Sequence, residues 1–134
     1  MVTRRIEKGR IKMENTDDTL QKILKSVKVI CDVAIDDTSF DKDLILYINS
    51  VFSILKQLGV TDTDFKLVTG EELWSDYLSD FKDIEDVKTY IGLKVKKMFD
   101  PPSGSSMQAI DDMIRELEWR INVAVDPKKE ESNG

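Results

Sequence analysis

Apolar residues recur at three- and four-residue steps in four long stretches of this chain, the spacing that places them on one face of an α-helix. The first runs through Leu20, Ile23, Leu24, Val27, Ile30, Cys31 and Ala34. It predicts a helix capped by Thr16, favoured at its start by Asp17 and Asp18, and ending near Ile35. After a turn and recap at Asp36-Asp37-Thr38-Ser39, the cleanest stripe follows: Leu44, Tyr47, Ile48, Val51, Phe52, Leu55 and Leu58. Gly59 is expected to close that helix in a left-handed cap, with Val60 making the accompanying apolar contact.

The third and fourth stripes, Ile84-Val87-Ile91-Val95-Met98 and Ile110-Met113-Ile114-Leu117-Ile121-Ala124, flank Phe99-Asp100-Pro101-Pro102-Ser103-Gly104-Ser105. Pro101 forces Asp100 out of helical dihedrals, and neither proline can donate an intrahelical hydrogen bond, so the third helix must stop near Phe99. A new helix is expected at Ser105, with Gln108 reaching back in a capping box. The pair reads as an αα-hairpin with a rigid elbow. Its charges fit the helix dipole, with Asp83, Glu85 and Asp86 at one start and Lys94, Lys96 and Lys97 at the matching end. Asp111 with Arg115 and Glu116 with Arg120 have i,i+4 spacing, each worth roughly 0.2 to 0.5 kcal/mol of helix support.

Between the second and third stripes the period fails. Phe65-Lys66-Leu67-Val68 alternates only briefly, as a short strand or an extended loop would. Thr69 and Glu72 have capping-box spacing and predict a short helix bearing Leu73, Trp74, Tyr77 and Leu78. So many large apolar groups either plug the core or anchor a subunit contact; Trp74, Tyr77 and Leu78 are the candidate interface. The pattern as a whole is all-α, a small bundle of about five helices with a C-terminal αα-hairpin and room for one short extended segment. Residues 16–125 form the helical domain, 1–15 an N-terminal extension and 126–134 a polar C-terminal tail. Within the extension, Lys8-Gly9-Arg10-Ile11-Lys12-Met13 is what a translated purine-rich ribosome-binding site would give, so Met13 is a second candidate start; an ordinary basic arm is the alternative.

Composition then narrows the chemistry. The formal net charge of -6 argues against a surface that grips nucleic-acid phosphates. Lys22, Lys25 and Lys28 do form a basic strip, read as a solvated helix face rather than a phosphate or acidic-partner site. The lone Cys31 excludes an internal disulfide and fits a small buried hydrophobe. No apolar run has the length to cross a bilayer. Histidine is absent, which removes the commonest general base and metal ligand, and there is no phosphate-cradling glycine loop. Asp62 and Asp64 lack the glycine and distal glutamate of a calcium loop. No catalytic, cofactor or metal site is expected, and the 26 Asp and Glu residues are read as caps, ion pairs and solubility.

One block goes further. Val87-Lys88-Thr89-Tyr90-Ile91-Gly92-Leu93-Lys94-Val95, then Met98-Phe99-Asp100-Pro101-Pro102, then Glu116-Leu117-Glu118-Trp119-Arg120-Ile121-Asn122-Val123 resembles the head-tail connector (adaptor) proteins of long-tailed double-stranded DNA phages. The likeness covers residues 73–125, with Gly92 where a bulkier residue is usual. It implies a structural virion protein of the neck, active in assembly, DNA packaging and DNA ejection: a homo-oligomer ring, commonly twelvefold, beneath the portal protein. The ring would extend the DNA channel without binding DNA specifically and receive a stopper or tail-completion protein. It also implies a helix-elbow motif of Phe99, Asp100, Pro101, Pro102, Trp119 and Arg120; Trp119 and Pro101 are read as fixing how two helices meet inside one subunit, with direct partner contact as the alternative. A C-terminal docking segment would place Val123, Val125, Pro127, Lys128 and Lys129 against the portal; a solvated tail with no role is the equal alternative. The alternative from the residues alone is a cytoplasmic helical adaptor unrelated to virions.

Overall fold

The computed structural model describes residues 20–79 and 81–125, which contain five helices and no strand. These are α1 (Ile23–Ile30), α2 (Asp41–Leu58), α3 (Trp74–Tyr77), α4 (Ile84–Phe99) and α5 (Ser105–Val125). The expected Thr16 cap, the N-terminal extension and the tail lie outside the described residues. Helix α4 is the centre of the bundle, packing against α1, α2 and α5, while α5 touches α2 only lightly. Its Val87, Tyr90, Ile91 and Val95 are fully buried among Val27, Leu44, Ile48, Val51, Leu55 and Ile121. Each such aliphatic side chain contributes about 1.5 to 3 kcal/mol by leaving water.

Two glycines set how closely the helices approach. A Cβ on Gly92 would overlap the Ile30 side chain, so the small residue in α4 is a notch into which α1 packs. Gly59 closes α2 at φ 93°, as its position after the stripe predicts, with the Val60 N–H donating to Leu55 O at 3.0 Å and Val60 buried. Val125, at the end of α5, lies against the same glycine, its Cγ1 2.9 Å from where a Cβ would stand.

Helix α1 ends five residues earlier than the apolar stripe predicts. Asp32 takes φ 61°, which breaks the helical path, and Ala34 and Ile35 lie in the turn that follows. That turn is organised by Lys28, which is 1% exposed rather than solvated. Its ammonium donates to Ile35 O at 3.2 Å and Asp37 O at 2.9 Å, and ion-pairs with Asp41 at 2.7 Å. Two carbonyl acceptors and an opposite charge offset the desolvation of the ammonium, which lets a charge sit in the core. Lys22 also departs from the solvated strip, pairing with Glu71 at 2.6 Å.

Residues 65–68 form an extended loop, not a strand. Asn49 supplies the pairing a neighbouring strand would give: Leu67 N–H donates to its Oδ1 at 2.8 Å and its Nδ2 donates to Leu67 O at 3.1 Å. The predicted Thr69–Glu72 box does not open a helix. Glu72 instead accepts from the N–H groups of Val68, Thr69 and Gly70 at 2.7, 3.1 and 2.8 Å, closing a turn whose chain then bridges back to α1 through Ile23 N–H to Glu72 O at 3.0 Å. Burial works to raise the Glu72 carboxyl, but these donors outweigh it and hold it below its ordinary range. Helix α3 therefore starts only at Trp74, with the Asp76 carboxylate accepting from Leu73 N–H at 2.9 Å.

Candidate functional site

The hairpin of α4 and α5 carries most of the predicted site residues, and its geometry divides them between two ends. At the elbow, Asp100 is extended at φ -146° and ψ 73°, as a residue before proline must be, and its N–H closes α4 on Lys96 O at 2.8 Å. Phe99 meets Phe40 edge-on, with ring centroids 5.2 Å apart. Pro101 is exposed and Pro102 half-buried. Gly104, at φ 63°, turns the chain into α5. The expected Ser105–Gln108 capping box is not formed: Ser105 is already the first residue of α5, and the Gln108 amide donates to Asp112 at 2.9 Å. Asp111 does not pair with Arg115. It reaches across the elbow to Lys97 at 2.6 Å, leaving Arg115 to Asp112.

Between the two ends, the fully buried Tyr90 donates its hydroxyl to Glu118 Oε2 at 2.7 Å, a link between α4 and α5 inside the apolar seam. Burial, and then the Glu118 carboxylate, push the Tyr90 hydroxyl far above its ordinary range, so it stays a donor. Tyr90 sits three residues after Val87 and one before Ile91, so the helical period could have put it on the stripe; its partner on the other helix had no sequence signal.

Trp119 and Arg120 belong to the far end of α5, about 20 Å along the helix from the elbow. Trp119 does not fix the helix meeting: it is 63% exposed, because it is two residues from both Leu117 and Ile121, and those two are buried. Arg120 pairs with Glu116 at 2.9 Å and reaches Asp86 of α4 at 4.0 Å. Trp119, Arg120 and Val123 line a shallow cleft with Lys82, Asp83 and Asp86. Val123 and Val125 are half-buried; Pro127, Lys128 and Lys129 lie outside the described residues.

The aromatic segment before the hairpin is core, not an exposed subunit contact. Trp74 and Tyr77 are 5% and 6% exposed. The Trp74 indole donates to Ser26 Oγ at 3.0 Å, and Tyr77 stacks on Phe52 and Phe65 with centroids 4.4 and 5.3 Å away. Leu78 is half-buried beside them. The large apolar load on so short a helix is explained by α3 acting as a plug between α1 and α2.

Among the described residues there is no group of three or more His, Cys, Asp or Glu placed to hold a metal ion, and Asp64 is paired with Lys56 at 2.6 Å. No described helix is long and apolar enough to cross a membrane. What the arrangement offers is a rigid hairpin that presents side chains for non-covalent contact. Over residues 23–128 the chain matches the model of a family described as phage connector protein. No curated protein and no solved structure matches it significantly.

Proposed function

This chain belongs to the phage connector protein family, and from that premise we propose that it is a structural subunit of the virion neck, a head-tail connector that assembles into a ring below the portal. The observation that carries this reading is the match itself, which spans all five helices and both halves of the hairpin. The ring, commonly twelvefold, extends the DNA channel and receives a stopper or tail-completion protein on its far side. A net charge of -6 suits a conduit, because an acidic lumen lets a duplex slide where a basic one would neutralise phosphates and hold it. The segment beyond α5, with Val123 and Val125 at its root and Pro127, Lys128 and Lys129 in it, docks on the portal. Each contact is weak, since ordering a residue costs about 1 to 2 kcal/mol of backbone entropy, but repetition around a ring converts weak contacts into avidity.

Negative-stain microscopy of the purified protein, alone and with portal, tests this reading. Rings that stack coaxially on the portal are expected. A protein that forms no ring in either condition and does not co-purify with portal would overturn it. Truncation after Val125 should leave the helical signal and melting of the subunit nearly unchanged while abolishing co-purification; undiminished binding would move the docking surface elsewhere.

A further inference from the structure

We infer that the C-terminal tail, when it docks on the portal, runs through a groove on its own subunit: Pro127 seats beside α3, and the Tyr77 hydroxyl donates to a backbone carbonyl of the tail. This rests on the portal-docking reading above and supplies the subunit's side of that contact.

The starting point is a hydroxyl with no partner. The Tyr77 ring is packed on Phe52 and Phe65, yet its hydroxyl is buried without a hydrogen bond. Among the described residues the other buried ring donors are satisfied, Tyr90 by Glu118 and Trp74 by Ser26. Burial keeps the Tyr77 hydroxyl protonated, so what it lacks is an acceptor. Leaving a buried O–H unpaired costs free energy, which an acceptor arriving on assembly recovers.

Tyr77 lines a shallow groove of about 360 Å³ with Val60, Leu78, Ser79 and Phe81. Where α5 ends decides which segment can fill it. Val125 is the last residue of α5, and its Cγ1 stands 2.9 Å from where a Cβ on Gly59 would be. Gly59 is bonded to Val60, so α5 ends beside the groove. Pro127 disfavours helical dihedrals at Asp126, so α5 is not continued. An extended residue spans at most about 3.6 Å, which lets Pro127 lie about 7 Å beyond Val125, within reach of the groove. The family match includes this stretch, since it runs to residue 128.

The chemistry of the segment suits the groove. Pro127 is the one apolar side chain after Val125, and the groove is apolar apart from Ser79 and the Tyr77 hydroxyl. Proline has no N–H, so seating it buries no backbone donor, and the carbonyls of Asp126 and Pro127 are acceptors for Tyr77. One ring and one hydrogen bond do not outweigh the backbone entropy of ordering the tail. The seat therefore fills when the portal holds the far end of the segment. That is why the free subunit should melt alike with or without residues 126–134 while the portal complex needs them.

The test compares wild type, full-length Tyr77→Phe, full-length Ser79→Cys with Lys128→Cys, and the chain truncated after Val125, each on immobilised portal. Tyr77→Phe removes only the hydroxyl. It should melt at or above wild type, because the lost group had no partner, yet bind portal about two- to tenfold more weakly per subunit, the worth of one neutral hydrogen bond. A hydroxyl with a merely structural role would leave portal binding unmoved. In the portal complex, mild oxidation should join the two new cysteines within one chain, read as an intrachain disulfide by denaturing mass spectrometry; Cys31 is buried and stays out of the exchange. Undiminished portal binding by Tyr77→Phe, no disulfide in the portal complex, or a disulfide only between chains would overturn the seat while the docking reading stands. If truncation after Val125 leaves portal binding at full strength, the docking reading falls, and this inference with it.

Discussion

The Lys28 ammonium lies 2.7 Å from the Asp41 carboxylate, joining α1 to the first residue of α2 across the turn that separates them. Lys28 is 1% exposed, and its remaining donors go to the carbonyls of Ile35 and Asp37, so one side chain fixes both the helix pair and the path of the turn. Lys28→Met keeps the length and removes the charge. It leaves a carboxylate and two carbonyls without their donor, and should lower stability by about 2 to 4 kcal/mol, as breaking one side of a buried pair does. Urea unfolding of the two proteins checks this; a change within about 0.5 kcal/mol, the range of ordinary surface substitutions, would show that water replaces the ammonium without loss.

Gly92 and Ile30 make the second prediction. Gly92→Ala places a methyl group into the tip of the Ile30 side chain, so that Ile30 must leave its rotamer or α1 must shift away from α4. Overpacking of this kind costs about 1 to 3 kcal/mol, more than the roughly 1 kcal/mol that alanine gains over glycine within a helix. Thermal melts should show Gly92→Ala below wild type and the double variant with Ile30→Ala less destabilised than the two single effects combined. Strict additivity would mean that the two residues do not meet.

The hairpin and α2 were legible in the sequence because each rests on local physics: apolar period, proline, and glycine after the last turn. The residues that tie elements together were not. Lys28 looks like one of three lysines on a wet face, and only the turn at Asp32 brings Ile35, Asp37 and Asp41 around it. Glu72 has the spacing of a capping box with Thr69, yet three consecutive N–H groups compete for its carboxylate and hold a turn instead. Trp119 sits between Leu117 and Ile121 in sequence, and a stripe drawn loosely enough to include it hides that it faces the other way. Tyr77 could have gone to either core or interface; the aromatic cluster with Phe52 and Phe65 settled it, and no spacing rule places those three rings together.

Cys31 gives a pH-dependent prediction. Burial pushes its thiol up from 9.0 to about 11, against the smaller opposing pull of Lys96. Because folding raises this pKa, the thiol's contribution to stability is complete below 9.0 and is lost as pH rises through about 11. Tyr77 and Tyr90, both raised by burial, add to the loss at still higher pH. Unfolding free energy should therefore decline across this alkaline window, and Cys31→Ala should flatten its first part. Reaction with a disulfide reagent at pH 8 should be much slower in the folded protein than in the unfolded chain, since the thiolate is the attacking species and burial both suppresses it and blocks access to it. Equal rates would place the thiol at the surface.

The elbow supplies the last prediction. Asp100 is held at φ -146° and ψ 73° because Pro101 follows it, and two prolines in succession deny α4 the donors it would need to continue. With Pro101→Ala and Pro102→Ala together, Asp100 regains access to helical dihedrals and α4 can add a turn. That turn would carry α5 away from its seat, separating Lys97 from Asp111 and uncovering Ile114 and Leu117. Part of the cost also arises in the unfolded chain, where each lost proline restores about 0.4 to 1 kcal/mol of entropy. Stability should fall by about 2 to 4 kcal/mol, with the larger share coming from the displaced apolar seam. Trp119→Ala is the control, because an exposed indole at the other end of α5 should leave melting within about 0.5 kcal/mol of wild type. Gly104, at φ 63°, remains in the double variant and still favours a turn. An unchanged melting temperature would therefore assign the elbow to Gly104 and to the packing of α5, and the prolines would be only its filling.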